Sequence, residues 1–251
     1  MNRGVGVTEA IRNTVPEWTV PLFEFLSLGG DLLLIVPALA LLYAGTVARS
    51  LRRPPAASGS QPLCADRTAL LIAVVFGGLA LVVVLKAVFA MSRPPTELHA
   101  VSPSEFGFPS GHTMAATVFW GALALWTSVG RRRVRLGVAG TVVSLVAVSR
   151  LALGVHFLVD VLASIAVGSL YLVAIAGLTG GRPGRAFGVT IAIAGIAVLV
   201  SGGGSRSLLA LAGSIGAACG WWIVERPLVR RRLRQAVEQL RGTSRTGDAG
   251  R

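Results

Sequence analysis

Lysine is almost missing from this chain: Lys86 is the only one, against 23 arginines. The arginine bias fits a G+C-rich genome. It also marks the one position, inside an apolar stretch, where a lysine stands instead. Cysteine is nearly as scarce. Cys64 and Cys219 lie far apart without metal-ligand spacing, which excludes a disulfide framework and a zinc site and leaves two free thiols. Charged residues are only 14% of the chain and hydrophobic ones 53%, which excludes an ordinary soluble domain. The first residues are polar and include Glu9, so a cleavable signal peptide is not expected there. No internal repeat is evident, and low complexity is confined to the tail after Val224.

What the chain has in abundance is apolar runs. Seven can be drawn: Phe25 to Val47, Ala69 to Met91, Thr113 to Val129, Val134 to Ser149, Phe157 to Leu178, Phe187 to Val200 and Leu208 to Val224. Several reach the roughly 20 residues that cross a bilayer core. The expected fold class is therefore all-α, a polytopic transmembrane helix bundle. Its expected parts are an N-terminal outer or interfacial segment (1–24), a transmembrane domain (25–225) and a basic cytoplasmic tail (226–251). The sixth run is short and flanked by glycine, so six spans compete with seven.

The net charge of +13 suggests nucleic acid, but its distribution does not. Basic residues crowd into the segments 48–67, 130–135 and 179–186 and into the tail. With seven spans these share one side, which holds eighteen of the 24 cations. The positive-inside rule explains that bias without nucleic acid and favours seven spans with the C-terminus inside. Trp126, Trp221 and Trp222 then lie near the inner interface and Trp18 near the outer one, as aromatic belts do.

Six cations are left outside: Arg3, Arg12, Lys86, Arg93, Arg150 and Arg206. Three belong to short polar strings at the end of span two, the start of span three and the junction of spans four and five. Lys86 and Arg93 are seven residues apart, which on a helix places them on one face about two turns apart. Pro94 should then end that helix. Two cations on one face suit a doubly charged oxyanion. The rival for Arg93 is snorkelling to the interface. In Pro109, Ser110, Gly111 and His112, Ser110 is placed to cap a helix whose first amides can hold phosphate oxygens. Gly111 permits close approach of the backbone, and His112 can donate a proton. The plain alternative is an ordinary cap beside an interfacial histidine. His156 and Asp160, four apart, meet on one helix face, where a carboxylate can set the imidazole tautomer or simply form an ion pair. Arg150 lies six residues before His156, with Gly154 between to bend the chain, and can bring a third cation. Ser149 positions Arg150 or ends the fourth span. Residue types alone leave open which histidine attacks; the adjacent carboxylate favours His156.

The order and spacing of these strings, K-x6-R-P, then P-S-G-H, then S-R-x5-H-x3-D, closely resemble the signature of the type 2 phosphatidic acid phosphatase superfamily. The resemblance runs from Lys86 to Asp160, about a third of the chain, without a departure. It implies a six-helix phosphatase core, here with a seventh span, and a lipid phosphatase mechanism that needs no metal or other cofactor. It implies that His156 is the nucleophile and forms a phosphohistidine, that Asp160 orients it, and that His112 protonates the leaving group and then helps water attack. Lys86, Arg93, Ser110, Gly111 and Arg150 would hold the phosphate oxygens.

The expected protein is thus a multi-pass cell-membrane phosphatase with its site on the outer face. Its partners are the bilayer and a lipid substrate, either a polyprenyl diphosphate, which an outward site favours, or a glycerolipid phosphate. The alternatives are a lipid phosphotransferase on the same site, a non-catalytic lipid transporter or scaffold, and a soluble-type vanadate haloperoxidase, which the apolar runs oppose. Elsewhere the plainer readings lead. Asp31 is a helix-end carboxylate, with a headgroup or motif cation as its alternative partner. His99, Glu97 and Glu105 sit in a solvated loop. Gly216 and Gly220 form a helix-packing or dimerisation pair, and the basic tail lies along anionic lipid heads.

Overall fold

In the computed structural model, residues 5–53, 61–103 and 106–248 are described, with side chains from 6 to 240. Among them the fold is helical throughout. Two short helices, α1 (Val5–Thr14) and α2 (Val20–Ser27), precede seven long apolar ones. These are α3 (Leu32–Arg52), α4 (Asp66–Phe89), α5 (Gly111–Trp126), α6 (Arg132–Ala152), α7 (Leu158–Thr179), α8 (Pro183–Val200) and α9 (Ser205–Val224). The basic α10 (Pro227–Asp248) follows. All but α5 of the seven are long and apolar enough to cross a membrane. At 16 residues α5 spans about 24 Å, short of a bilayer core of about 30 Å. The bundle's outer faces carry large apolar side chains, Leu41 at 74% and Leu209 at 72% exposure among them, as a lipid-facing surface requires.

The centre of the bundle is α4, buried along most of its length between α5, α8 and α9. Small residues allow this. The Tyr171 hydroxyl donates to the Val74 carbonyl (2.8 Å) and the Thr190 hydroxyl to the Ala73 carbonyl (2.6 Å), both beside Gly77. Close backbone approach at small residues, joined by hydroxyl-to-carbonyl bonds, holds helices together where lipid removes the hydrophobic drive. A Cβ at Gly78 would stand 2.6 Å from Cγ1 of Val118. Gly78→Val should therefore separate α4 from α5 and cost about 1–3 kcal/mol, read as a lower thermal midpoint in detergent.

Several sequence expectations change here. α4 ends at Phe89, not at Pro94: Ala90 turns left-handed (φ 43°) and its N–H closes on the Lys86 carbonyl at 2.9 Å. Arg93 therefore lies on the segment after the helix, and its approach to Lys86 comes from a chain reversal, not from a shared helical face. α6 continues to Ala152, so Ser149 does not end it. Its hydroxyl bonds back to the Val146 carbonyl (2.7 Å) instead of reaching Arg150. Nothing packs within 4 Å of the Cβ positions of Gly216 and Gly220, so that pair serves no helix packing within the described bundle. α1 and α2 pack on α6, with Ile11 against Ala147, Leu151 and Val161.

Candidate active site

The end of α4, the start of α5, the end of α6 and the start of α7 carry the three motif strings, and they converge. The turn from α6 to α7 sets the centre. Gly154 is left-handed (φ 70°), and a Cβ there would overlap the Leu98 carbonyl. The Ala100 N–H also bonds the Leu153 carbonyl (3.1 Å). The loop with Glu97 and His99 thus braces this turn and is more than a solvated connection. Glu105 lies outside the described residues.

Asp160 starts α7. Its Oδ2 accepts the Phe157 N–H (2.9 Å), and the same oxygen stands 3.5 Å from Nδ1 of His156. On the other side of the ring, Nη1 of Arg93 is 3.1 Å from Nε2 of His156 and donates to the Val155 carbonyl at 2.7 Å. A guanidinium can only donate. Nε2 must therefore present its lone pair, and the ring proton belongs on Nδ1, facing Asp160. His156 is 1% exposed, and burial first, then Arg93, Arg150, Lys86 and His112, hold it well below the ordinary histidine range. At neutral pH it is an uncharged base with a directed lone pair. Burial pushes Arg93 down to about 10, which leaves it cationic.

Arg150 and Lys86 also stand near enough to act on the charge of His156. The Lys86 ammonium donates to the Phe106 carbonyl (2.7 Å). Arg150 is 6% exposed, and its Nε has no hydrogen-bond partner among the described residues. Ser110 occupies the N-cap position of α5 but makes no side-chain cap bond. It is fully buried with its hydroxyl 3.0 Å from that of Thr113. Gly111 opens α5 in ordinary contact with the Lys86 stem, 3.5 Å from where its Cβ would be. α7 locks α5 in register: the Ser110 N–H bonds the Asp160 carbonyl (3.3 Å), and the Ser164 hydroxyl reaches both that carbonyl (2.6 Å) and the Ser110 carbonyl (3.0 Å).

Three participants were not legible as such. Ser164 stands one turn after Asp160 on the same face, a spacing that would have flagged it. Thr8 of α1 is buried and donates to the His156 carbonyl (3.2 Å); no sequence signal marks it. Asp31 caps α3 as expected, but its second oxygen also lies 3.2 Å from Nε2 of His112. The apolar cavity of about 280 Å³ between α3, α4, α8 and α9, lined by Tyr43 and Trp221 among others, contains none of the motif residues. Among the described residues no cluster of three or more histidine, cysteine or acidic side chains is placed to hold a metal ion.

Comparison with known proteins matches residues 67–182 to the family model described as PAP2 superfamily. Phosphatidylglycerophosphatase B of Bacillus subtilis (strain 168) is 38% identical over 77 residues, 28% of this chain and 37% of that protein's length. The chain thus aligns with well under half of this curated relative. The crystal structure of a transmembrane PAP2 type phosphatidylglycerolphosphate phosphatase from Bacillus subtilis superposes with a TM-score of 0.56 at 26% identity. It covers 69% of this chain and 82% of that one. The all-helical, multi-pass membrane architecture is shared with that structure.

Proposed function

Proceeding from the PAP2 superfamily domain at residues 67–182, we propose that this chain is a membrane phosphatase acting on a lipid phosphate through a phosphohistidine. The observation that carries it is Arg150: a guanidinium buried to 6% exposure, with an unpartnered Nε, beside Arg93, Lys86 and an uncharged histidine. Asp31 and Glu24 act on Arg150 only through space, and a buried donor left without an acceptor is costly. A phosphate dianion at Nε2 of His156 supplies that acceptor and meets all three cations at once.

Nε2 of His156 attacks phosphorus, the bond to the lipid oxygen breaks, and His112 gives its proton to the departing alkoxide. Water then attacks the phosphohistidine, loses a proton to His112 and releases inorganic phosphate. Asp160, 3.5 Å from Nδ1, stabilises the ring as positive charge develops. Lys86, Arg93 and Arg150 with the first amides of α5 compensate the equatorial oxygens. Ser110 contributes through the backbone it anchors, since its hydroxyl is turned to Thr113. The scheme uses no metal.

The relatives' names draw the substrate toward a glycerolipid phosphate, such as phosphatidylglycerol phosphate, and away from the polyprenyl diphosphate that the outward site suggested. The loop-charge asymmetry supports an outer-face site and a cytoplasmic α10. Purified protein in detergent should release phosphate from phosphatidylglycerol phosphate with EDTA present, and orthovanadate should inhibit. Loss of all activity on chelation, restored by a divalent ion, would remove the metal-free scheme.

A further inference from the structure

We propose that Asp31 is a positioning residue for His112, which makes the site a pair of opposed histidine–carboxylate couples and not one; this rests on the phosphatase reading above. The sequence places Asp31 before α3, more than 80 positions from His112, and its capping role accounts for only one of its oxygens. Oδ1 accepts the Leu33 N–H at 2.8 Å. Oδ2 lies 3.2 Å from Nε2 of His112, with both side chains about one-third exposed.

The contact is built, not incidental. The turn Leu28–Gly30 before Asp31 is docked on α5 at two points. The Trp120 indole N–H donates to the Gly29 carbonyl (2.9 Å). Gly30 presses on the first turn of α5 so closely that a Cβ would overlap the His112 carbonyl. Any larger residue at 30 would lift the turn and carry the carboxylate away. Two neighbouring glycines followed by a capping aspartate thus set the distance from Oδ2 to the imidazole.

The surroundings give that carboxylate a task. His112 is faced by Arg150 from α6, by Arg93 from the segment after α4, and by His156 from the turn before α7. Burial first, and then these cations, oppose protonation of His112, yet a general acid must carry a proton. Asp31 supplies the opposing charge. It takes the Nε2 proton and leaves Nδ1 as the donor to the departing lipid oxygen. Within the transfer to His156, the effect of its contact with His112 is confined to leaving-group protonation; its charge also reaches Arg150, which would move both substrates alike.

That confinement provides the test. The ratio kcat/KM reports steps through departure of the alcohol, so hydrolysis of the phosphoenzyme does not enter it. Dioctanoyl phosphatidic acid has an alkoxide leaving group that needs a proton; p-nitrophenyl phosphate has one that does not. Asp31→Asn and Asp31→Ser both keep an N-cap oxygen, so α3 should remain capped. In the full-length protein each variant should lower kcat/KM for the phosphatidic acid about 10- to 100-fold, mostly in kcat, within the roughly 10²–10⁴ of a whole proton-transfer step. For the aryl phosphate kcat/KM, which reads only the transfer to His156, should change less than about threefold, whatever happens to kcat through the later hydrolysis step. His112→Ala should show the same selectivity, and adding Asp31→Asn to it should cost nothing more. Equal losses on both substrates, no loss on either, or additive losses in the double variant would overturn the assignment. If the unaltered protein hydrolyses neither substrate, or His156→Gln hydrolyses both normally, the phosphatase reading itself fails and takes this assignment with it.

Discussion

His156→Gln should reduce phosphate release to background, a loss of about 10⁴-fold or more, because it removes the atom to which phosphorus bonds in the proposed mechanism. Glutamine keeps much of the volume, so packing in the turn should persist. The turn is held by contacts other than the ring: Thr8 on the His156 carbonyl, Arg93 on the Val155 carbonyl and Leu98 against Gly154. The check is an acid-labile phosphoenzyme. The unaltered protein quenched during turnover with radiolabelled lipid phosphate should carry label lost in acid and kept in base. The variant should carry none, with an unchanged thermal midpoint. Label or turnover retained in His156→Gln would move the nucleophile elsewhere in the site.

Asp160→Asn should cost about 10³- to 10⁴-fold in kcat with the fold intact. The asparagine oxygen can still accept the Phe157 N–H, as Oδ2 of Asp160 does at 2.9 Å. That same oxygen faces Nδ1 of His156, and the NH₂ takes the place of Oδ1. The ring stays oriented, but the carboxylate charge is gone, so nothing compensates the positive charge the imidazole gains as Nε2 attacks, and the loss falls on kcat. Combining Asp160→Asn with His156→Gln should be no worse than His156→Gln alone, since residues acting as a unit are not additive. Strictly additive losses would show that Asp160 acts independently of the imidazole.

The asymmetry between the two histidines shows how far the chain could be read in one dimension. His156 and Asp160 do meet, but not on one helix face as their spacing suggested: α7 begins at Leu158, and the turn before it carries His156 back over Asp160. His112 has no nearby carboxylate in sequence, and its contact with Asp31 spans 81 positions. A capping residue is recognisable from its neighbours; a second use of the same carboxylate is not. Lys86 and Arg93 do come near each other, but not for the reason their spacing suggested. A seven-residue spacing suggests a helical face, but Ala90 breaks the helix between them, and tertiary contacts at Phe106 and Val155 bring the two cations together.

Composition and spacing by themselves determined the all-helical membrane bundle, the number and rough limits of its apolar helices, and the set of polar residues worth attention. These follow from local rules: a bilayer demands apolar runs of a certain length, and every charge inside one needs a purpose. Only the tertiary structure decided which nitrogen of His156 meets the Arg93 guanidinium, that Arg150 is buried with an unsatisfied donor, that Ser110 turns inward to Thr113, and that Asp31 and Thr8 contact the two histidines. Those depend on distances between helices far apart in the chain. Such distances are set by small residues at the crossings, Gly30, Gly78 and Gly154 among them, whose effect appears only when another backbone comes to lie against them.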